Sequence, residues 1–349
     1  MSVTKSFYDV MPDGRDVYLY TIENNNGVSV GILTRGATLN SFVCPDKNGE
    51  MADILIGFDS LDGHLATTTY AGEIIGQYAN RIADGTFTLN GTRYELTKNE
   101  NGVTCLHGGG EYNSALWRAI ITDDNAVEFA YHSPDGTEGF PGNVDITVKY
   151  VLTDHNELEI HYSAVSDKDT ILNFTNHAYF NLATAKNGNV LDHELQLNCS
   201  YFTPTDARSI PTGELCPVEG TPFDFRTFQK IGARIDDPDP VLQYGPGYDH
   251  NWCLNGTGFR KVAELRGAAR AVEVWTDQIG LQFYAGNFIK DDWTMKGGEK
   301  MRYRGWLALE TQHYPNTPNR PDFPSVTLRP GETYRTVTEY RFTTPTRGE

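Results

Sequence analysis

Hydrophobic and polar residues alternate along much of the chain, which is the pattern of half-buried β-strands. The clearest case is two alternating runs, residues 86–89 and 92–96, separated by Asn90 and Gly91. Asn-Gly supplies the positive φ angles of a type I′ turn, so this segment predicts a two-residue β-hairpin. In that register Phe87 faces Tyr94 on one buried face of the hairpin.

A second hairpin is predicted over residues 146–164, with its turn at 154–156. Further strands are predicted at 127–131, 271–275, 278–283, 305–310 and 334–342, and helical patterns are short, near 60–66, 114–118 and 228–235. Many short strands with little helix predict an all-β fold, a large antiparallel sandwich or barrel. Because the chain contains neither a linker nor a repeat, we expect residues 1–349 to form a single domain.

Composition narrows the classes of ligand. The chain carries 29 Lys and Arg against 46 Asp and Glu, a formal charge of −17, which argues against nucleic acid and anionic membranes as partners. Its five cysteines include no Cys-x-x-Cys pair, as expected for reduced thiols. Without a signal-peptide pattern or a membrane-length apolar run, we expect a cytoplasmic protein.

Two strand-like segments contain a proton-transferring group where an apolar residue is expected. His177 lies in an amide-rich, uncharged run, and Glu310 is the acid of an otherwise apolar run at 306–312. His177 is either a hydrogen-bonded core histidine or a general acid. Glu310 is either a solvent-exposed residue at a strand end or a buried base with a raised pKa.

Three further segments add polar groups. Arg81 follows an amide and precedes a strand, His107 is followed by three glycines, and Asp249 lies among aromatic residues. Each has a structural alternative, respectively a surface arginine, a mobile loop and a turn that enters a strand. Motifs for metals, nucleotides and serine hydrolases are absent from the sequence. Together these residues indicate acid/base chemistry on a polyhydroxylated substrate.

The chain resembles the galactose mutarotase (aldose 1-epimerase) family. The most specific matching segments are TNHAYFNL at 175–182 and LETQ at 309–312. The others occur in family order and cover nearly the whole chain: ANRI at 79–82, LHGG at 106–109, GFPG at 139–142, YDH at 248–250, QFYAGN at 282–287, FP at 323–324 and LRPGETY at 328–334.

This resemblance implies a β-sandwich with an open cleft that interconverts the α and β anomers of free hexoses such as galactose and glucose. It implies Glu310 as general base and His177 as general acid, with no metal and no cofactor. The sugar ligands and supporting groups that it implies are Arg81, His107, Asp249, Gln282, Asn80 and Asn176. We expect a monomer or a homodimer.

Two other functions remain open from the sequence. A hexose-6-phosphate 1-epimerase would need further basic groups, whereas Arg81 is the only arginine or lysine among the site residues that the resemblance implies. A non-catalytic carbohydrate-binding protein is compatible with the fold, but it would not need both Glu310 and His177.

Overall fold

The computed structural model describes residues 1–183, 188–291 and 293–345. Its first sheet has five strands in chain order: β1 (Ser2–Val10), β2 (Asp16–Glu23), β3 (Ser29–Leu33), β4 (Leu39–Pro45) and β5 (Met51–Asp53). A short helix and five short strands follow: α1 (Leu61–Ala66), β6 (Ile74–Ile75), β7 (Arg81–Ile82), β8 (Thr86–Leu89), β9 (Thr92–Glu95) and β10 (Cys105–Leu106).

The middle of the chain contains one helical turn and seven strands: α2 (Glu111–Ser114), β11 (Arg118–Asp123), β12 (Ala126–Ser133), β13 (Val144–Leu152), β14 (Glu157–Ser166), β15 (Thr170–Ile171), β16 (Thr175–Asn176) and β17 (Tyr179–Phe180). The next strands precede a third short helix: β18 (Glu194–Leu197), β19 (Cys199–Thr203), β20 (Cys216–Pro217), β21 (Gln229–Lys230) and α3 (Pro240–Tyr244). The last strands are β22 (Asp249–Leu254), β23 (Arg260–Arg266), β24 (Ala271–Thr276), β25 (Gly280–Tyr284), β26 (Leu307–Gln312), β27 (Thr327–Leu328) and β28 (Tyr334–Thr343).

Two large antiparallel sheets build the sandwich. One has nine strands in the order β11-β12-β13-β14-β28-β24-β23-β18-β21, and the other has six in the order β17-β26-β25-β22-β19-β20. The main apolar core contains residues of both sheets, such as Ile146 and Val148 of β13 and Leu281 and Leu309 of the six-stranded sheet. The predicted all-β sandwich with little helix is therefore confirmed.

Both predicted hairpins are confirmed. Strands β8 and β9 pair with Phe87 opposite Tyr94, and Asn90 and Gly91 have φ angles of 51° and 81°. Strands β13 and β14 pair over nine residues from Val144 to Leu152. Local alternation was sufficient here because each hairpin closes over a short turn.

The helix prediction at 114–118 is wrong, because α2 ends at Ser114 and β11 begins at Arg118. Trp117 between them is buried, and its backbone N–H donates to the carbonyl of Thr34 at 2.8 Å. This distant contact overrides the local pattern. At 228–235 the structure has a single 3₁₀ turn over Ile231–Ala233 after β21. Within the described ranges, no helix is long and apolar enough to cross a membrane.

Candidate active site

Glu310 lies in the middle of β26, on the sheet face opposite to its core-packed neighbour Leu309. Register places Asn251, Gln282 and Glu310 side by side across β22, β25 and β26, so three polar side chains form one row. Glu310 is only 2% exposed, and among the described residues its Oε2 has no hydrogen-bond partner. A carboxylate with an unmade hydrogen bond is costly to bury, which favours a functional role over a structural one.

His177 lies between the short strands β16 and β17, and its main chain is held on both sides. Its N–H donates to the carbonyl of Glu73 at 3.0 Å, and its carbonyl accepts from the N–H of Gly72 at 2.9 Å. The imidazole stacks on Tyr179 with ring centroids 4.9 Å apart. Its Nε2 lies 3.5 Å from Oε1 of Glu310. The two residues singled out in the sequence therefore meet, although they lie 133 positions apart in the numbering.

His107 is fixed by Asn80. The backbone N–H of Asn80 donates to Nδ1 of His107 at 3.2 Å, and the N–H of His107 donates to the carbonyl of Asn80 at 3.0 Å. Because Nδ1 accepts, a neutral His107 carries its proton on Nε2, which is free to donate to a ligand. Its ring lies 5.3 Å from that of His177 between centroids.

The glycines after His107 serve close packing. Gly108 has a φ of 68°, and a Cβ there would lie 2.1 Å from the carbonyl oxygen of Gly76. Only glycine fits such an approach without moving the backbone. The loop is therefore packed against the segment that leads to Arg81, and this contact explains the glycine at this position.

Arg81, Asp249 and Gln282 form a second polar group beside Glu310. Arg81 makes a forked pair with Glu100, Nε to Oε2 at 2.9 Å and Nη2 to Oε1 at 2.8 Å. Its Nη1 lies 3.9 Å from Oδ2 of Asp249. Nε2 of Gln282 donates to Oδ1 of Asp249 at 2.8 Å. This arrangement presents donors and acceptors of the kind that bind sugar hydroxyls.

The two predicted supporting amides have different surroundings. Oδ1 of Asn80 accepts from the N–H of Arg81 at 2.9 Å. Asn176 uses its side chain within the protein, donating to the carbonyl of Gly72 at 2.8 Å and accepting from the N–H of Ala178 at 3.0 Å. Asn176 therefore braces the His177 segment, and both of its amide atoms already have protein partners.

Burial dominates the protonation of the central pair. It raises the pKa of Glu310 well above its usual value, the charge of Asp249 raises it further, and Arg81 opposes the shift. Burial lowers the pKa of His177 to about 4. Burial also lowers the pKa of His107 well below its usual value. At pH values between the His177 pKa of about 4 and the raised pKa of Glu310, the pair holds one proton, and burial favours this proton on the carboxyl group.

A cleft of about 680 Å³ adjoins this site and shares Arg81 with it. That volume is in the usual range for small-molecule pockets. Its lining includes Tyr70, Arg81, Glu100, Arg208, Tyr244 and Phe288. The ring of Tyr70 lies 4.7 Å from that of His107 and 6.1 Å from that of His177 between centroids. Tyr70 and Arg81 therefore connect the cleft with the buried acid/base pair.

Three neighbours of the site, Tyr179, Tyr70 and Glu100, were not singled out from the sequence. Tyr179 lies two positions after His177, so strand alternation was an available signal for a shared face. Tyr70 and Glu100 carry no such signal, because only the fold brings their loops to Arg81 and the histidines.

The site also contains three side chains of the kinds that act as metal ligands. One ligand atom each of His107, His177 and Glu310 lie within 4.8 Å of one another. Two imidazoles and a carboxylate are a zinc-type set, but they would have to move closer together to share one ion at about 2.0–2.2 Å. The expected absence of a metal stays a prediction.

Known proteins are similar to this chain over nearly its full length. A model of the aldose 1-epimerase family matches residues 18–341. Galactose mutarotase from Bos taurus is 38% identical over 348 residues, covering 98% of this chain and 99% of the relative. Aldose 1-epimerase from Escherichia coli (strain K12) is 38% identical over 346 residues, covering 95% and 96%.

Solved structures agree. Galactose 1-epimerase from Lactobacillus acidophilus NCFM superposes with a TM-score of 0.87 at 27% identity, covering 99% of this chain and 100% of that one. An aldose epimerase homologue from C. elegans gives a TM-score of 0.86 at 27% identity, covering 98% and 100%. The resemblance drawn from the motifs is confirmed, and the chain belongs to the aldose 1-epimerase family.

Proposed function

We propose that this protein is an isomerase that interconverts the α and β anomers of free hexoses, galactose and glucose among them. The observation that carries the proposal is the pair formed by Glu310 and His177, 3.5 Å apart and joined to a cleft of sugar-binding size. Family membership and two relatives at 38% identity support the same activity.

In this mechanism Glu310 removes the proton of the C1 hydroxyl while His177 protonates the ring oxygen. The C1–O5 bond breaks and the open-chain aldehyde forms. Rotation about C1–C2 presents the other carbonyl face, and ring closure reverses both proton transfers. Both reacting oxygens are bonded to C1, so an acid and a base that are close neighbours can serve them together.

The proton count of the pair fits this cycle. The reactive form has ionised Glu310 and protonated His177, whereas burial favours the proton on Glu310. Both forms hold one proton, so a transfer across the pair produces the reactive form without exchange with solvent. Each positioned proton transfer typically contributes about 10²–10⁴-fold to the rate.

The remaining polar groups bind and orient the sugar. Arg81, the Nε2–H of His107, Asp249 and Gln282 would contact hydroxyl groups, which fixes C1 against the acid/base pair. Asn80 supports His107 and Arg81, and Asn176 supports His177. The reaction involves no net oxidation and consumes no water, so the chemistry asks for no redox cofactor.

Polarimetry on freshly dissolved α-D-galactose and α-D-glucose tests the proposal. We expect the optical rotation to reach its equilibrium value faster in proportion to enzyme concentration, and His177→Asn to lose at least about 100-fold in rate. Sugar binding without any acceleration would instead indicate a non-catalytic carbohydrate-binding protein.

We also propose the cytoplasm as the compartment, since all five cysteines are free thiols. The assembly as a monomer or a homodimer stays a prediction, as does the single domain over residues 1–349.

A further inference from the structure

Within the described part of the chain, the cleft is lined by two residues with cationic side chains, and carboxylates already neutralise both. Arg81 is held by Glu100 and approached by Asp249. Arg208 at the rim pairs with Asp84 at 3.0 Å and with Asp206 at 3.6 Å. An anionic ligand that enters this cleft therefore meets no cation without a carboxylate partner.

Glu100 is the carboxylate that neutralises Arg81, the arginine nearer to the acid/base pair. It lies in a tight turn in which the N–H groups of Glu100 and Thr104 each donate to the other residue's carbonyl at 3.1 Å. Its carboxylate takes up the Nε and Nη2 edge of Arg81. The Glu100 side chain is 22% exposed, so it stands at the boundary between the buried site and the open cleft.

The forked geometry has a consequence for charge. The Nε and Nη2 edge of a guanidinium is one of its two edges that can hold a phosphate group in a bidentate pair. In this protein Glu100 holds that edge, which leaves Nη1 on the side of Asp249. The group made of Arg81, Glu100 and Asp249 therefore sets two carboxyl groups against one guanidinium.

We propose that Glu100 makes this enzyme selective for uncharged aldoses, because its carboxylate occupies the edge of Arg81 that would otherwise bind a sugar phosphate. This inference rests on the proposed function and names a residue that determines which sugars its site accepts. Replacing Glu100 by glutamine keeps one acceptor oxygen but puts an N–H₂ group in place of the other, so one donor of this edge loses its partner and the repulsive charge beside it is removed.

The test compares wild-type protein, Glu100→Gln and a matched control, Glu95→Gln. Glu95 also pairs with an arginine, Arg93, but on the exposed β8–β9 hairpin, where the two side chains are 59% and 67% exposed. Both substitutions change the net charge equally. The binding of glucose 6-phosphate and of inorganic phosphate is measured by calorimetry and as inhibition of α-D-galactose mutarotation.

We expect Glu100→Gln to bind glucose 6-phosphate about 10- to 100-fold more tightly than wild type, the range of a charge-assisted pair. Glu95→Gln should behave as wild type. High salt should weaken the gain. The position of Arg81 also depends on Glu100, so galactose turnover should fall in Glu100→Gln. In the same variant the affinity for glucose 6-phosphate should rise, so the two effects have opposite signs.

An unchanged affinity for both phosphate probes in a folded Glu100→Gln protein would overturn the proposal. Glu100→Asp keeps the charge and alters the fork, so it should still reject the phosphates, and phosphate binding by this variant would equally overturn it. Calorimetry reports binding without turnover. Failure of the proposed function would instead appear in wild-type protein as galactose mutarotation at the uncatalysed rate.

Discussion

Replacing Glu310 by glutamine separates catalysis from stability. The amide has nearly the same shape as the carboxyl group, so the row of side chains across β22, β25 and β26 keeps its packing. The change removes the proposed base, and a positioned proton transfer is worth about 10²–10⁴-fold. Binding contacts from Arg81 and His107 remain, so we expect kcat to fall by about that factor and KM to change by only a few fold.

The effect on folding should have the opposite sign from that on activity. Glu310 is 2% exposed and its Oε2 lacks a partner among the described residues, so the wild-type protein bears the cost of burying an ionisable group. A neutral amide avoids the ionic part of that cost. We expect the free energy of unfolding of Glu310→Gln to be equal to or about 1–2 kcal/mol above that of wild type.

The assay is polarimetry on α-D-galactose together with denaturant unfolding of the same preparations, with Glu95→Gln as the surface control. A large loss of activity in a protein of unchanged or higher stability supports Glu310 as a functional base. Activity within about threefold of wild type would remove Glu310 from the mechanism. A clearly less stable variant would refute the assignment of a burial cost to this carboxylate.

Three other predictions follow from the same groups. The plot of rate against pH should be bell-shaped. Near the His177 pKa of about 4 both groups of the pair become protonated and no base remains, and above the raised pKa of Glu310 both lose their proton and no acid remains. A single sigmoid without an acid limb would contradict this. The free energy of unfolding should fall as pH drops from about 6.5 toward 4, because the unfolded chain binds protons that the folded one excludes, at up to about 3 kcal/mol for each buried histidine. The histidines that contribute include His193, His250 and His313, whose folded pKa is lowered to about 4. His177 does not contribute, because the folded Glu310–His177 pair already holds one proton in this range, as the same two groups do in the unfolded chain. A chelator should leave mutarotation unchanged, whereas added zinc should inhibit in competition with sugar at His107, His177 and Glu310; loss of activity on chelation would show that a metal is needed.

Local pattern predicted the parts of the fold that depend on neighbouring residues. The hairpin with Phe87 opposite Tyr94 and the pairing of β13 with β14 both follow from period-2 alternation and turn chemistry. The helix prediction at 114–118 was wrong because Trp117 is held by a backbone contact to Thr34, which directly follows the distant strand β3. Such contacts leave no trace in a local window.

The candidate site was predictable where a residue broke its own pattern. His177 and Glu310 stood out because polar groups interrupt strand-like runs, and the motifs of the family then added the other ligands. Glu100 and Tyr70 could not be found this way, since they lie in loops where polar and aromatic residues are ordinary. Their significance arises only from the contacts with Arg81 and His107.

Proton NMR exchange spectroscopy on galactose at anomeric equilibrium is the most direct test of the claim that Glu310 and His177 interconvert the two anomers. It follows both directions of the reaction without a change in concentration. With wild-type protein, we expect exchange peaks between the α and β anomeric protons whose intensity rises with enzyme concentration and disappears in His177→Asn. If the anomeric exchange stays at the protein-free rate while the enzyme is saturated with sugar, this result would contradict an acid/base pair acting on one pyranose.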